Sequence, residues 1–266
     1  MFEDLKPHIQ DLRKRLIISV VCIVVAFIGC FAFWKPIFAF IKAPIERAFS
    51  DQVQGVLVQL VPLEGIFSAM SISFLVAFTL STPVVFWQLW LFIAPGLYKN
   101  EKKIIVPFVL FGSAMFVLGA LFAYYIIFPF MIKYVLMFGN DMFEANISVE
   151  AYISFFIRVI LGFGIAFELP VLAFFLAKVG LITDETLRSF FKYAVVIIFI
   201  IAAIITPPDP FSQLLMAIPL VILYGFAILI ARFVNPAIKP QRVQDTQESL
   251  KPESKKSSTS KSPKRP

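Results

Sequence analysis

The sequence predicts an all-α polytopic membrane protein with six transmembrane helices, of which the fifth and sixth are short. The first observation is the composition: 59% of the 266 residues are hydrophobic, 15% are charged and 32 are phenylalanine. A soluble domain of this length carries roughly a quarter charged residues. The second observation is a succession of six apolar stretches, and the third is the uneven distribution of lysine and arginine around them. Together they predict a bundle of membrane helices with both termini in the cytoplasm.

The six apolar stretches are separated by polar or proline-containing segments. About 20 helical residues cross a hydrocarbon core of about 30 Å. The second to fourth stretches are longer than this, so we expect those helices to tilt or to extend into the headgroups. Pro83 interrupts the second. The predicted spans are Leu16–Trp34, Ile66–Ile93, Ile104–Phe128, Tyr152–Ala177, Tyr193–Ile205 and Phe211–Ile230.

The fifth span is short because two consecutive prolines, Pro207 and Pro208, end it after about 13 residues, or about 20 Å of helix. The sixth span begins in the same hairpin, which presents Asp209 and Gln213 beside the turn. We expect the bilayer to be thinned there, or the turn to lie in a wet depression below the membrane surface.

The basic residues set the orientation. With the N-terminus inside, 19 of the 24 lysines and arginines fall on the inner side and four on the outer side, and the inner excess remains when the tail is left out. This arrangement predicts a cytoplasmic segment over residues 1–15, a membrane domain over 16–233 and a cytoplasmic tail over 234–266. The tail is rich in Lys, Ser and Pro, so we expect it to be disordered.

Two longer loops lie on the predicted outer side. In the first, Lys35–Gly65, three prolines including Pro44 predict a break into short pieces, with small interfacial helices over Ile37–Ile41 and Ile45–Phe49. We expect the second, Pro129–Val149, to begin with a helical extension of the third span and to end at Ser148, an N-cap for the fourth. The two loops together are expected to form an outer rim.

The sequence offers little to hold a metal or a cofactor. His8 is the only histidine, and Cys22 and Cys30 lie eight residues apart on one predicted helix, about 12 Å by helical rise. That separation is too large for a disulfide, and the residue types are too few for a zinc or haem site. The chain also lacks a phosphate-binding P-loop motif. We therefore expect no cofactor and no nucleotide, and the net charge of +7, which flanks the spans, does not indicate nucleic acid.

Glu168 is the one acid inside a predicted span, in the segment Gly164–Pro170. A carboxylate in hydrocarbon is costly, so its side chain is expected to face protein, water or a partner helix. Pro170 cannot donate to the carbonyl of Ala166, which predicts a kink beside the acid. The functional interpretation is a polar contact for a substrate or partner helix. The alternative is a protonated acid that only packs the bundle. We favour the first.

Two acids lie among basic residues on the predicted cytoplasmic side. Asp11 precedes Arg13 and its neighbours, and Glu101 lies in the loop between the second and third spans. Taken alone, such carboxylates most often form local ion pairs. The alternative is recognition of guanidinium groups, which a carboxylate binds in a bidentate manner and prefers to ammonium.

A series of short motifs runs in order from about residue 5 to residue 233. They are His8–Leu16, Thr82-Pro83, Trp87-Gln88, Phe92–Tyr98 followed by Glu101, Phe122–Tyr125, Phe128-Pro129, Phe167–Pro170, Thr206–Asp209 and Ser212-Gln213. The set resembles the TatC family, the multi-spanning receptor subunit of the twin-arginine protein translocase. Asp11 stands where that family usually has a glutamate, which shortens the acid by one methylene.

The resemblance implies a non-enzymatic receptor in the bacterial inner membrane. Such a receptor binds twin-arginine signal peptides, assembles with single-span subunits of the TatA and TatB type, and uses the proton-motive force to export folded proteins. It is expected to form oligomers within a receptor complex. The residues that the resemblance assigns to signal binding are Glu101, Asp11, Arg13 and Phe92; Glu168 becomes an intramembrane polar contact, and Pro44, Pro83, Asp209 and Gln213 become partner or structural positions.

Two other functions remain as alternatives. A proton-coupled transporter of small molecules would use Glu168 as its titrating group, but such transporters carry internal repeats, and none is evident in the sequence. A membrane-embedded enzyme would need a nucleophile with a base, or a metal site, within the spans. Purification in mild detergent separates these alternatives, because a translocase receptor retains small single-span proteins and binds a twin-arginine peptide.

Overall fold

The computed structural model describes residues 6–51, 55–93, 105–138 and 145–235. These residues contain six helical spans that are long and apolar enough to cross a membrane, which confirms the predicted fold class. The cytoplasmic location of the termini remains a prediction. The spans are Gln10–Ala32, Glu64–Phe92, Val106–Met137, Val149–Lys178, Asp184–Ile205 and Pro210–Val234.

Breaks in the third and fourth spans divide each of them into two α-helices, and a further helix, α2, lies between the first and second spans. The α-helices are α1 (Lys6–Ala32), α2 (Trp34–Asp51), α3 (Glu64–Ile93), α4 (Ile105–Phe122), α5 (Phe128–Met137), α6 (Val149–Ala166), α7 (Glu168–Lys178), α8 (Asp184–Ile205) and α9 (Pro210–Val234). A π-helical turn (Ala123–Ile127) joins α4 to α5, and two short strands are β1 (Gly55–Val58) and β2 (Ala145–Ser148).

The segment after the first span forms one helix, α2. The prediction of two small helices on either side of Pro44 is wrong, because α2 continues through the proline. The proline removes one backbone donor from this turn, and two tyrosine hydroxyls supply others. Tyr124 donates to the carbonyl oxygen of Phe40 at 2.8 Å, and Tyr152 donates to that of Ile41 at 2.6 Å. The helix is therefore completed by side chains of the third and fourth spans.

The third span continues beyond its predicted end at Phe128. Pro129 has no N–H for the carbonyl of Tyr125, and the chain widens into the π-helical turn, where the N–H of Phe128 donates to the carbonyl of Ala123. The helix then resumes as α5 and ends at Met137. The expected helical extension of the third span is thus confirmed.

A small parallel sheet ties the two longer loops together. Strand β1 pairs with β2 in a register that places Gly55 beside Ala145 and Val58 beside Ser148. The sequence analysis predicted helices alone in this region and missed the sheet. Ser148 ends β2 and caps α6, because its hydroxyl oxygen accepts from the N–H of Ala151 at 3.2 Å, which confirms the predicted N-cap. The two loops meet in one rim, as expected.

The fourth span is kinked where the sequence predicted. Helix α6 ends at Ala166, Phe167 lies in a turn, and α7 begins at Glu168, two residues before Pro170. The fifth helix begins at Asp184, nine residues before its predicted start at Tyr193.

The early start of α8 has a local cause. Thr183 caps the helix with its hydroxyl oxygen, and acidic residues fill the first turn, so the polar residues before Tyr193 are helical. The spans formed by α8 and α9 have 22 and 25 residues, against 23 for the first span and 29 to 32 for the second to fourth. The predicted length of about 13 residues for the fifth span is therefore wrong, although α8 is shorter than the three spans before it.

The third and fourth spans form the centre of the bundle and are packed closely. A Cβ atom on Gly119 would lie 2.6 Å from the carbonyl oxygen of Phe163, and one on Gly164 would lie 2.8 Å from the ring of Phe116. Only glycine permits so close an approach of α4 and α6. The core contains the fully buried side chains of Phe128, Phe163, Ile72, Met131, Ile153 and Met216.

Candidate functional site

The first candidate site lies at the end of the pair formed by α1 and α3. The two helices touch midway, where the thiol sulfur of Cys22 lies 3.8 Å from the hydroxyl oxygen of Ser81. Asp11 precedes Cys22 by eleven residues, and Phe92 follows Ser81 by eleven residues. Because consecutive spans run in opposite directions, both residues lie about 16 Å from that contact, at the same end of the pair. The structure thus places Asp11 and Phe92 at the same height along the axes of α1 and α3.

Asp11 forms a local ion pair. One of its carboxylate oxygens accepts from Nε of Arg15 at 3.2 Å and from Nη2 at 2.9 Å, one helical turn away. The Asp11 side chain is still 40% exposed. Arg13 is also exposed, but it follows Asp11 by two residues, or about 200° of helix, and so lies on the opposite side of α1. An ion pair at such a surface contributes about 0–1 kcal/mol. A second guanidinium group can therefore compete for this carboxylate.

The segment that contains Glu101 lies outside the described residues, but the helices on either side of it are firmly packed. Trp90, near the end of α3, is buried and forms edge-to-face contacts with Phe108 of α4 and Phe175 of α7. The ring centroids are 4.2 Å and 3.9 Å from that of Trp90. Phe92 follows on the same helix and is partly buried. This aromatic cluster fixes the ends of α3 and α4 relative to each other.

Glu168 forms the second candidate site, inside the membrane domain. Its side chain is 8% exposed, and its Oε1 atom has no hydrogen-bond partner among the described residues. Gly112 of α4 lies opposite, where a Cβ atom would lie 3.2 Å from Oε2 of Glu168 and 3.3 Å from the ring of Phe86. The glycine therefore leaves room for the carboxyl group between α3, α4 and α7.

The two prolines assigned to partner or structural roles both lie inside helices. Pro44 is buried within α2, and Pro83 is exposed within α3. Next to Pro83, the hydroxyl of Thr82 donates to the carbonyl of Phe78 at 3.1 Å. The helix continues through this position, so Pro83 presents an apolar ring on the outer surface of α3.

The third candidate site is the hairpin between α8 and α9. Asp209 caps α9, because its Oδ1 atom accepts from the N–H of Ser212 at 2.7 Å. Gln213 donates its side-chain amide to the carbonyl of Phe199 at 3.0 Å and so ties α9 to α8. Phe211 stacks on Tyr134 of α5, with ring centroids 3.7 Å apart. The hairpin is therefore a fixed structure joined to the third span.

The sequence analysis missed Glu64, the first residue of α3. Its side chain is 2% exposed, and Oε2 accepts from the N–H groups of Leu60 and Val61 at 2.7 and 3.2 Å. Oε1 accepts from the hydroxyl of Ser148 and from the N–H of Glu150 at 2.7 Å. One carboxylate thus caps α6, binds the segment before α3 and holds the rim together. An acid at the start of an apolar stretch was the available signal.

The described residues contain no group of three or more His, Cys, Asp or Glu side chains arranged to hold a metal ion. The three candidate sites are accordingly built from carboxylates, amides and aromatic rings. Such groups bind peptides and helices through hydrogen bonds, charge and apolar contact.

Comparison with known proteins adds an independent finding. Residues 7–219 match the family model described as Sec-independent protein translocase protein (TatC). The chain is 64% identical over 239 residues to the TatC protein of Helicobacter pylori, with 90% of this chain and 91% of that protein covered. It is 51% identical over 240 residues to the TatC protein of Campylobacter jejuni, with 90% and 98% covered.

The fold is also similar to a solved structure. A crystal structure of the twin-arginine translocase receptor TatC aligns with a TM-score of 0.77 at 41% sequence identity. The alignment covers 85% of this chain and 99% of that one.

Proposed function

Because the chain belongs to the TatC family, the multi-pass receptor component of the Sec-independent protein translocase, we propose that it binds twin-arginine signal peptides at the end of the α1–α3 pair. It does so at the cytoplasmic face of a bacterial inner membrane, with both termini inside. With single-span partners of the TatA and TatB type, it exports folded proteins at the expense of the proton-motive force. Family membership makes it a transport subunit and not an enzyme.

The observation that carries the proposal is the common level of Asp11 and Phe92, on either side of the Cys22–Ser81 contact. Helix α3 ends at Ile93, one residue after Phe92, and the segment that holds Glu101 follows directly in the chain. In this proposal, Glu101 joins Asp11 and Phe92, so that the site has two acids and an aromatic ring. A signal peptide with paired arginines and an adjoining apolar stretch matches both features.

The chemistry of the acids supports selection of arginine. A guanidinium group offers parallel N–H donors that match the two oxygens of a carboxylate, whereas an ammonium group acts as a point charge. Glu101 receives one arginine in this proposal. Asp11 receives the other after exchange of its local partner, Arg15. Arg13 is exposed on the other side of α1, and in this proposal it repels a signal peptide that approaches in the wrong register.

The α8–α9 pair is proposed to bind the single-span partners. The side chains of Val196, Ile200 and Ile204 are exposed along α8, and Gln213 borders a cleft of about 310 Å³ between the two helices. An apolar helix face with one amide at its edge suits a transmembrane helix that carries a single polar residue.

The test is site-specific photocrosslinking of the full chain in membranes. A photoreactive phenylalanine analogue at Phe92 is expected to crosslink a signal peptide with paired arginines, and labelling should fall when the pair is replaced by lysines. A second analogue at Val196 is expected to crosslink a single-span protein instead. Equal labelling by both peptides at Phe92 would contradict the proposed binding face.

A further inference from the structure

An apolar groove of about 450 Å³ opens on the membrane-facing surface between α2, α3, the third span and α6. Pro36 and Phe40 of α2 line one end. Thr79 and Leu80 line the wall on α3, and Tyr124 lies on the third span. No titratable acid, lysine or arginine borders it. None of the α3 residues that line the groove belongs to a candidate site described above. A ligand of the groove is therefore separate from those sites.

The hydroxyl groups at the groove already have partners. Thr79 donates to the carbonyl of Leu75 at 2.9 Å, and Tyr124 donates to that of Phe40 at 2.8 Å. A polar ligand would therefore find no free donor at these two positions. The lining favours an occupant made of methylene groups, because apolar surface is the only surface offered there.

The size and depth of the groove select a single acyl chain. On α3 the groove is lined by residues between Leu75 and Leu80, about 16 to 24 Å along the helix from its first residue. This reach corresponds to one leaflet of a hydrocarbon core of about 30 Å. An acyl chain is much narrower than a helix, which is about 10 Å wide with its side chains, so the acyl chain can lie deeper between these residues.

A cation lies at the mouth of the groove. Lys35 directly precedes Pro36, its side chain is exposed, and no carboxylate of the described residues forms an ion pair with it. The next lysine on α2, Lys42, is instead paired with Glu46 at 2.7 Å. Lys35 is therefore the cation that we assign to a lipid phosphate, because it is exposed and directly precedes the groove residue Pro36.

We propose that this groove binds one acyl chain of a membrane phospholipid, with the phosphate of that lipid held at Lys35. The bound chain completes the wall of the bundle where α2, α3 and α6 leave it open. Binding is separate from the signal-peptide function, because it uses neither Asp11 nor Glu168.

The test uses the full chain in vesicles of phosphatidylethanolamine and phosphatidylglycerol, with a phosphatidylglycerol probe that carries a diazirine in one acyl chain. We expect saturable labelling of groove residues, which unlabelled phosphatidylglycerol displaces, and linear labelling at Val21 and Val25 on the exposed face of α1. Thr79→Leu and Leu80→Trp fill the groove and should lower its labelling about tenfold. Leu110→Trp, on an exposed position of α4, is the matched control and should change nothing.

Lys35→Gln should lower labelling of the groove by the phosphatidylglycerol probe severalfold and remove the advantage of that probe over a phosphatidylcholine probe. Linear, undisplaceable labelling of the groove in the unmodified protein would overturn the proposal. Because this result is read on the unmodified chain, the proposal stays testable even if a groove-filling variant fails to fold. Equal labelling by the two headgroups would overturn the assignment of Lys35.

Discussion

The hydroxyl of Tyr124 donates to the carbonyl oxygen of Phe40 at 2.8 Å, across 84 residues of sequence. Phe40 lies four residues before Pro44, so its carbonyl is the acceptor that a proline N–H cannot serve. The tyrosine supplies the missing donor and lets α2 pass through the proline without a break. Its ring also stacks on that of Phe40, with centroids 4.4 Å apart. A residue of the third span thus fixes the shape of the surface helix.

Tyr124→Phe is expected to destabilise the protein by about 1 kcal/mol, because the carbonyl of Phe40 loses its donor at a partly buried position. Thermal unfolding in detergent measures the effect. In a Pro44→Ala background the cost should be smaller, because the new alanine N–H can serve the same carbonyl. Equal costs in both backgrounds would show that the tyrosine acts only through ring packing.

Glu64→Ala is expected to loosen the rim, because four donors on two loops lose their common acceptor. Limited proteolysis of the segment before α3 should accelerate severalfold, and the melting temperature should fall by several degrees. Glu150→Ala is the matched control, since Glu150 uses its backbone N–H at this site and its side chain is exposed. If both variants respond alike, the carboxylate of Glu64 is not the link.

The membrane spans could be predicted because hydrophobicity is a local property of the chain. The continuity of α2 could not, since it depends on hydroxyls that lie 84 and 111 residues away in sequence. The β1–β2 sheet was missed for a similar reason, as two four-residue strands carry little signal until they pair. The start of α8 had a local signal, the cap Thr183, but the first turns of this helix are polar and lie outside the apolar stretch from which the span was predicted.

The features of the candidate sites also fall into those that the local sequence predicts and those that depend on residues far away in the chain. The kink beside Glu168 follows from Pro170, whereas the space for its carboxyl group depends on Gly112 of another helix. Asp209 was recognised as a polar residue beside the turn, but its role as the cap of α9 became evident only from its bond to Ser212. Chemistry that one residue carries can be predicted from the sequence. Chemistry that depends on a distant partner needs the fold.

Glu101→Ala is expected to weaken binding of a twin-arginine peptide about 10- to 100-fold while leaving the protein folded. The variant removes a charge-assisted hydrogen-bond acceptor, worth about 1.5–3 kcal/mol. Titration with peptides that carry paired arginines or paired lysines measures the preference. Glu46→Ala, which removes an exposed acid from α2, serves as the control. A preference for arginine that survives in Glu101→Ala would contradict the assigned role.

A fluorophore on Pro208, which is exposed in the α8–α9 hairpin, is expected to be accessible to a water-soluble quencher in nanodiscs. The physical reason is the short apolar part of α8, which brings the turn close to water. Ile200, exposed farther along α8, serves as the protected reference position. The label is attached to a single introduced cysteine after Cys22 and Cys30 are replaced. Equal protection of both positions would contradict the predicted thinning.

Glu168→Gln is expected to retain much of the export activity, and Glu168→Leu to lose most of it. The carboxyl group lies against Gly112 with one oxygen unpaired among the described residues, so it is available to a signal or partner helix. A glutamine of nearly equal size keeps a donor and an acceptor there, whereas leucine offers neither. A proton relay would need further titratable groups across the spans, and Arg158, the other charged residue between the end turns of the fourth span, is exposed.

The measurement separates peptide binding from export in both variants. Initial binding is expected to be nearly unchanged, because the proposed binding face lies at the end of the α1–α3 pair, and the loss in Glu168→Leu should appear in assembly and transport. Gly112→Ala is an independent check, since its new Cβ atom would crowd Oε2 of Glu168 at 3.2 Å without removing the acid. It should reduce export less than Glu168→Leu does. Complete loss of export in Glu168→Gln with intact assembly would favour a proton-carrying role, because the amide keeps the size of the acid and both a donor and an acceptor but cannot titrate.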